Sequence, residues 1–152
     1  EMITVFSSGT TANLSPNRMP YYPQGLIKVD KRWHRPQKYD SEHRAARPSH
    51  ALDRVIEFGN YPETIIEFAN PNNDSVHSTQ KPLDLMEYLL LTYTNAGDCV
   101  LDVTMGSGAC GAACGNLGRR FIGIERDETY FNIAAERIAT AYAPLRMMEV
   151  AV

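Results

Sequence analysis

No stretch of this 152-residue sequence approaches the roughly 20 consecutive apolar residues of a membrane-spanning helix; runs such as 89–91 and 99–101 are far shorter. No basic-then-apolar leader, internal repeat or low-complexity tract is present, so a cytoplasmic location is expected, with no membrane partner. Cysteine is scarce. Cys99, Cys110 and Cys114 cannot all pair with one another, and the last two stand four apart rather than as C-x-x-C, which points to free thiols acting as small core residues. His34, His43 and His50 have irregular spacing and no cysteine nearby, and no metal site is read from them. What remains is an ordinary globular balance, 43% hydrophobic and 22% charged, on a chain long enough for one core.

The net charge of -3 is unevenly spread. Between Lys28 and Arg54 eight Lys or Arg face four acids, a local +4 that leaves -7 on the remainder. Such asymmetry suggests a polyanion-facing segment. Lys31, Arg32, Arg35 and Lys38 are candidates to meet DNA phosphates, and Trp33 to stack on bases; a solvated loop of mixed charge is the alternative. Prolines at 16, 20, 23, 36 and 48 predict loops from Leu14 to Arg54, with a brief helical turn over 49–57. The β-branched run 2–6 predicts a buried strand, and 63–68 another. A chain opening at Glu1, almost inside a strand, reads as a piece of something longer.

Regularity begins at Pro82. Helix is predicted over 82–93, strand over 99–103, helix over about 109–117 and strand over 120–124. A last helix over about 127–142 is expected to stop before Pro144. Strand, helix, strand, helix implies an α/β fold with a parallel, doubly wound sheet. The chain accordingly divides into 1–76, a sheet strand with a loop-rich basic segment; 77–145, a cofactor-binding half-domain; and 146–152, a tail.

The chemistry is concentrated in Gly106-Ser-Gly108-Ala-Cys-Gly111, a G-x-G-x-x-G between strand and helix, with Glu125 at the end of the next strand. Such glycines let backbone approach a ligand closely, and such an acid accepts hydrogen bonds from ribose hydroxyls. A nucleoside-containing cofactor follows. Asp102, an acid at the end of the first strand, suits the ammonium group of S-adenosylmethionine (SAM) and is badly placed beside a pyrophosphate. His77-Ser-Thr-Gln-Lys-Pro82 offers a cation and several donors for a carboxylate.

In this order, His77-Ser-Thr-Gln-Lys-Pro82, Asp102-Val-Thr-Met-Gly-Ser-Gly108 and Ile122-Gly-Ile-Glu125 resemble the DNA amino-methyltransferases of restriction-modification systems and phages whose SAM motif lies near the carboxyl terminus. The resemblance is strong over 77–138 and weaker over 21–25 and 61–68. It implies a Rossmann-like methyltransferase fold. It also implies that His77, Thr79, Gln80, Lys81, Asp102, Met105, Gly106, Ser107 and Gly108 hold the methionine part of SAM, and Glu125 with Arg126 the ribose and adenine. The family usually has Pro where Ser78 stands, an aromatic near Val103 and Thr-Thr at Ala109-Cys110, departures that spare the glycines and both acids.

The family's D-P-P-Y motif, which holds the target amine of a flipped base, has no counterpart, because no two prolines are adjacent. The sheet strand that would carry it is therefore expected to be missing. Three readings follow: a fragment of an enzyme methylating adenine N6 or cytosine N4; a catalytically inactive SAM- or DNA-binding remnant; or one subunit completed by a second copy or another chain across an exposed sheet edge. A nicotinamide oxidoreductase rests on the glycine turn alone. SAM binding without methyl transfer is the expected behaviour of this chain by itself.

Overall fold

The computed structural model describes residues 2–6, 19–34, 53–63, 65–69 and 80–149. They fall into two compact units, one formed by Glu1–Tyr22 with Ile65–Val152 and the other by Pro23–Thr64.

In the first unit, Pro82 precedes helix α1 (Leu83–Tyr93), its ring fixing a backbone angle suited to a helix start. Strand β3 (Cys99–Asp102), helix α2 (Ala109–Asn116), strand β4 (Arg120–Gly123) and helix α3 (Glu128–Glu149) follow. β3 and β4 pair in parallel from Cys99 opposite Arg120 to Asp102 opposite Gly123. This is the parallel α/β arrangement expected from the strand and helix periods, and the Rossmann-like one that the family resemblance implies. The alternating burial turns Val100 and Phe121 towards the helices, where with Leu83, Met86, Cys110 and Leu117 they surround the buried Leu90, Ala113 and Cys114.

Small residues decide how tightly the helices pack. A Cβ on Gly111 would stand 2.5 Å from Ile138 and 2.7 Å from Phe121, and one on Gly115 2.8 Å from Ala141, so α2 lies against α3 with no room for a side chain. Gly118 ends α2 at φ +69. Buried Arg119 then ties the layers together. Its Nε donates to Thr94 Oγ1 (3.1 Å) and its Nη2 to the Thr94 carbonyl (3.0 Å), serving the carboxyl end of α1, while the Tyr142 hydroxyl of α3 donates to the Arg119 carbonyl. Tyr22 N–H donates to the Thr92 carbonyl at 2.8 Å, docking the 21–22 segment on the same helix end.

The opposite sheet face, with Leu101 and Ile122 on the strands and Val103 and Ile124 just beyond, is more than half exposed. Parallel sheets are ordinarily covered on both faces.

In the second unit the loop expectation holds over 23–26 and fails at 27–34 and 53–54, while 35–52 lie outside the described residues. β1 (Ile27–His34) and β2 (Asp53–Gly59) form an antiparallel hairpin, and β2 replaces the helical turn expected over 49–57. Long-range pairing outweighed the local proline signal, since no proline falls inside either strand. Among the described residues, Met2–Phe6 and Ile65–Phe68 join no ladder: β propensity alone leaves a segment unpaired, and Met2 and Phe6 are each 88% exposed. α3 runs through Pro144 to Glu149, because one lost backbone bond interrupts a helix without ending it when helix formers follow. Cys99 is exposed on its strand rather than in the core. No described helix is long and apolar enough to cross a membrane.

Replacing Gly111 by Val is expected to destabilise the first unit by about 1–3 kcal/mol through overpacking against Ile138 and Phe121, read as a lower urea midpoint. An unchanged midpoint would mean that the helices can separate freely.

Candidate functional site

β3 ends at Asp102, whose Oδ1 accepts the Thr104 N–H at 3.0 Å and so starts the turn into α2. The turn is held from three sides. Met105 N–H donates to the Ile124 carbonyl (3.0 Å), Gly108 N–H to the Met105 carbonyl (2.9 Å), and Arg137 Nη1 to the Ser107 carbonyl (3.4 Å). Gly106 and Gly108 adopt φ +52 and +77, in the left-handed region that favours glycine. At Gly108 a Cβ would also meet Ala134 at 2.9 Å. Met105 is buried over Gly123, where any Cβ would collide with its sulfur.

Glu125 reaches the turn from beyond β4. Its Oε2 accepts the Gly106 N–H at 3.0 Å and its Oε1 the Asp127 N–H at 2.9 Å. The backbone N–H of Asp127, with those of Gly106 and Arg126, holds the carboxyl below its usual range, so it is ionised near neutrality. A carboxylate has about four acceptor positions, and these amides occupy no more than three, leaving capacity for a further donor. Asp127 in turn caps α3, Oδ1 accepting from Thr129 N–H (2.9 Å) and Tyr130 N–H (3.1 Å), which fixes where Glu125 sits.

Across the turn, Ser107 Oγ and Gln80 Oε1 are hydrogen-bonded at 2.9 Å, bringing the segment before α1 to the glycines. Together these groups line an open cleft of about 400 Å³ at the carboxyl ends of β3 and β4. Of the residues singled out in the sequence, the cleft gathers Gln80, Lys81, Asp102, Met105, Gly106, Ser107 and Glu125. Gly108 lies beneath the turn against Ala134, and Arg126 is exposed outside the lining. His77 and Thr79 lie outside the described residues.

Met86, Thr104, Ala109 and Cys110 also line the cleft and were not singled out. Thr104 precedes the glycine motif and Ala109 and Cys110 lie within it, so their position in the turn was the available signal. Met86 carried none, because it read only as an apolar helix position. The Cys110 sulfur accepts a hydrogen bond from the Cys114 thiol, which lowers its pKa against the opposing effect of burial, while the Cys114 thiol is pushed far up.

On the hairpin, Lys31 and Arg32 are exposed, Trp33 pairs with Arg54 in the ladder, and Arg35 and Lys38 lie outside the described residues. Among the described residues, no group of three or more His, Cys, Asp or Glu is placed to hold a metal ion.

Iodoacetamide at mildly alkaline pH should alkylate Cys110 in the folded chain and leave Cys114 untouched until denaturation, as mapped by peptide mass. Equal labelling of the two would contradict the pairing described.

A family model described as DNA methylase, of the N6/N4 type, matches residues 1–136. Over 62 residues, 41% of this chain, the sequence is 47% identical to the type II methyltransferase M2.DpnII of Streptococcus pneumoniae, covering 23% of that protein. A 62-residue match, again 41% of this chain, is 44% identical to the type II methyltransferase M.HinfI of Haemophilus influenzae and covers 17% of it. These matches thus span about a fifth of each curated relative. The solved M1.HpyAVI–SAM complex is similar at 32% identity and a TM-score of 0.45, over 75% of this chain and 63% of that one. With the family model spanning all but the last residues of the sequence, the chain belongs to the N6/N4 DNA methylase family.

Proposed function

We propose that the cleft binds SAM and that the chain is the cofactor-binding part of an enzyme methylating an exocyclic amine of DNA, adenine N6 or cytosine N4. The observation that carries this reading is the meeting, at one cleft, of two carboxylates from the ends of adjacent parallel strands: Asp102 and the twice-anchored, ionised Glu125. SAM, when bound, supplies an electrophilic methyl group on a sulfonium.

The residues present fit such a ligand. Glu125 is fixed with acceptor capacity to spare for a ribose hydroxyl, and Asp102 provides negative charge for an ammonium group. The turn at Met105, Gly106 and Ser107 allows close backbone approach, with Gly108 holding it down on α3. Gln80 and Lys81, with His77 and Thr79 beside them in sequence, address the ligand's carboxylate, and Arg126 the adenine edge. Two carboxylates at the mouth disfavour a pyrophosphate, which counts against a dinucleotide. The basic segment containing Lys31, Arg32, Trp33, Arg35 and Lys38 serves as the DNA contact.

Methyl transfer from SAM to a weakly nucleophilic amine depends on holding that amine in line, the task of the D-P-P-Y motif. This sequence has no adjacent prolines, which supports a reading in which the amine is held by polypeptide outside it. The exposed face at Leu101 and Ile122 supports the same reading, since the crossover helices that join further parallel strands would cover it.

Calorimetric titration of the purified chain should show SAM binding without methylation of DNA. Glu125→Ala is expected to weaken that binding tenfold or more, since hydrogen bonds to a charged acceptor contribute about 1.5–3 kcal/mol. Unchanged affinity would remove Glu125 from the site; NAD binding in place of SAM would overturn the cofactor; DNA methylation by the chain alone would overturn the division of labour.

A further inference from the structure

The β1–β2 hairpin carries an irregularity that sorts its cations. Lys28 pairs with Phe58 and Lys31 with Ile56, so three steps along β1 match two along β2. The extra residue is accommodated at a bulge next to Asp30, which stands at φ +43, a left-handed conformation uncommon outside glycine but tolerated by Asp and Asn. In an unbroken strand, residues three apart point to opposite faces. Here the bulge puts Lys28 and Lys31 on the same face, together with their ladder partners Phe58 and Ile56. Arg32, opposite Val55, falls on the other face with Glu57 and Ile27.

Both lysines and Phe58 are exposed. The ion pair from Lys28 Nζ to Asp30 at 3.4 Å joins side chains 69% and 62% exposed, so it restrains Lys28 little. Nearly all of β1 and the first two residues of β2 lie within the segment 28–54 that carries the local +4 in an otherwise acidic chain.

We propose that the Lys28, Lys31, Phe58 and Ile56 face of the hairpin, selected by the bulge at Asp30, is a contact surface for the phosphate backbone of duplex DNA. This rests on the reading of DNA as the partner and narrows it: of two neighbouring cations, Lys31 faces the duplex and Arg32 does not, and Lys28 takes its place. A two-stranded ribbon fits a DNA groove, its lysines neutralise phosphates, and Phe58 offers apolar area beside them.

Fluorescence anisotropy of the full chain with a short labelled duplex, repeated over a salt series, tests the assignment. Lys28→Ala and Lys31→Ala should each lower the slope of log affinity against log salt by about 0.9, the value for one phosphate contact, and Arg32→Ala should lower it less than either. Asp30→Asn keeps a residue tolerant of the left-handed conformation while removing the carboxylate beside Lys28, and should tighten binding. If DNA binds but the lysine variants keep the wild-type slope, the face is wrong while DNA remains the partner. If the wild-type chain binds no duplex, both the face and the hairpin's DNA role fail; SAM titration then reports separately on the cleft.

Discussion

Three glycines on one helical stripe set the distance between α2 and α3, and the cleft depends on that distance. Gly111 and Gly115 let the helices touch through Ile138 and Ala141, and Gly108 brings the glycine turn against Ala134. A turn pinned from below by α3 and from the side by the Met105 bond to Ile124 holds its backbone in one place. A Cβ at any of the three would collide with α3, although none of these glycines needs to touch a ligand.

Glu125 extends the same constraint to the chemistry. Its carboxylate is held by amides from two separate stretches of chain, Gly106 in the turn and Asp127 at the start of α3. One group therefore reports the registration of β3, β4 and α3. The amide bonds that position it also keep it ionised, so one set of contacts fixes both its place and its charge. The same economy appears at Arg119, whose guanidinium ties α1 to the turn before β4.

The second half of the sequence was readable because its signals are local. Helix period, the glycine spacing and the acids at strand ends each act within a few residues, and they located α1, β3, α2, β4 and most of the cleft. The hairpin was hidden for a physical reason: the bulge at Asp30 breaks the alternation of Ile27-Lys-Val-Asp-Lys31, and β2 is defined by a partner some twenty residues away. Segments 2–6 and 65–68 show the reverse error, since strand propensity says nothing about whether a partner is within reach. Pro144 misled because a single missing donor marks the end of a helix only when the residues after it also disfavour one. Met86 entered the cleft unannounced, because the face a helix presents depends on tertiary packing.

The central claim is that the turn and the two strand-end acids together form the SAM site. Amide hydrogen exchange with and without SAM tests it most directly. The account predicts slowed exchange in peptides spanning 102–110 and 122–127, with the 27–34 and 53–59 hairpin unchanged. Protection confined to the hairpin, or none at the turn under saturating ligand, would contradict it.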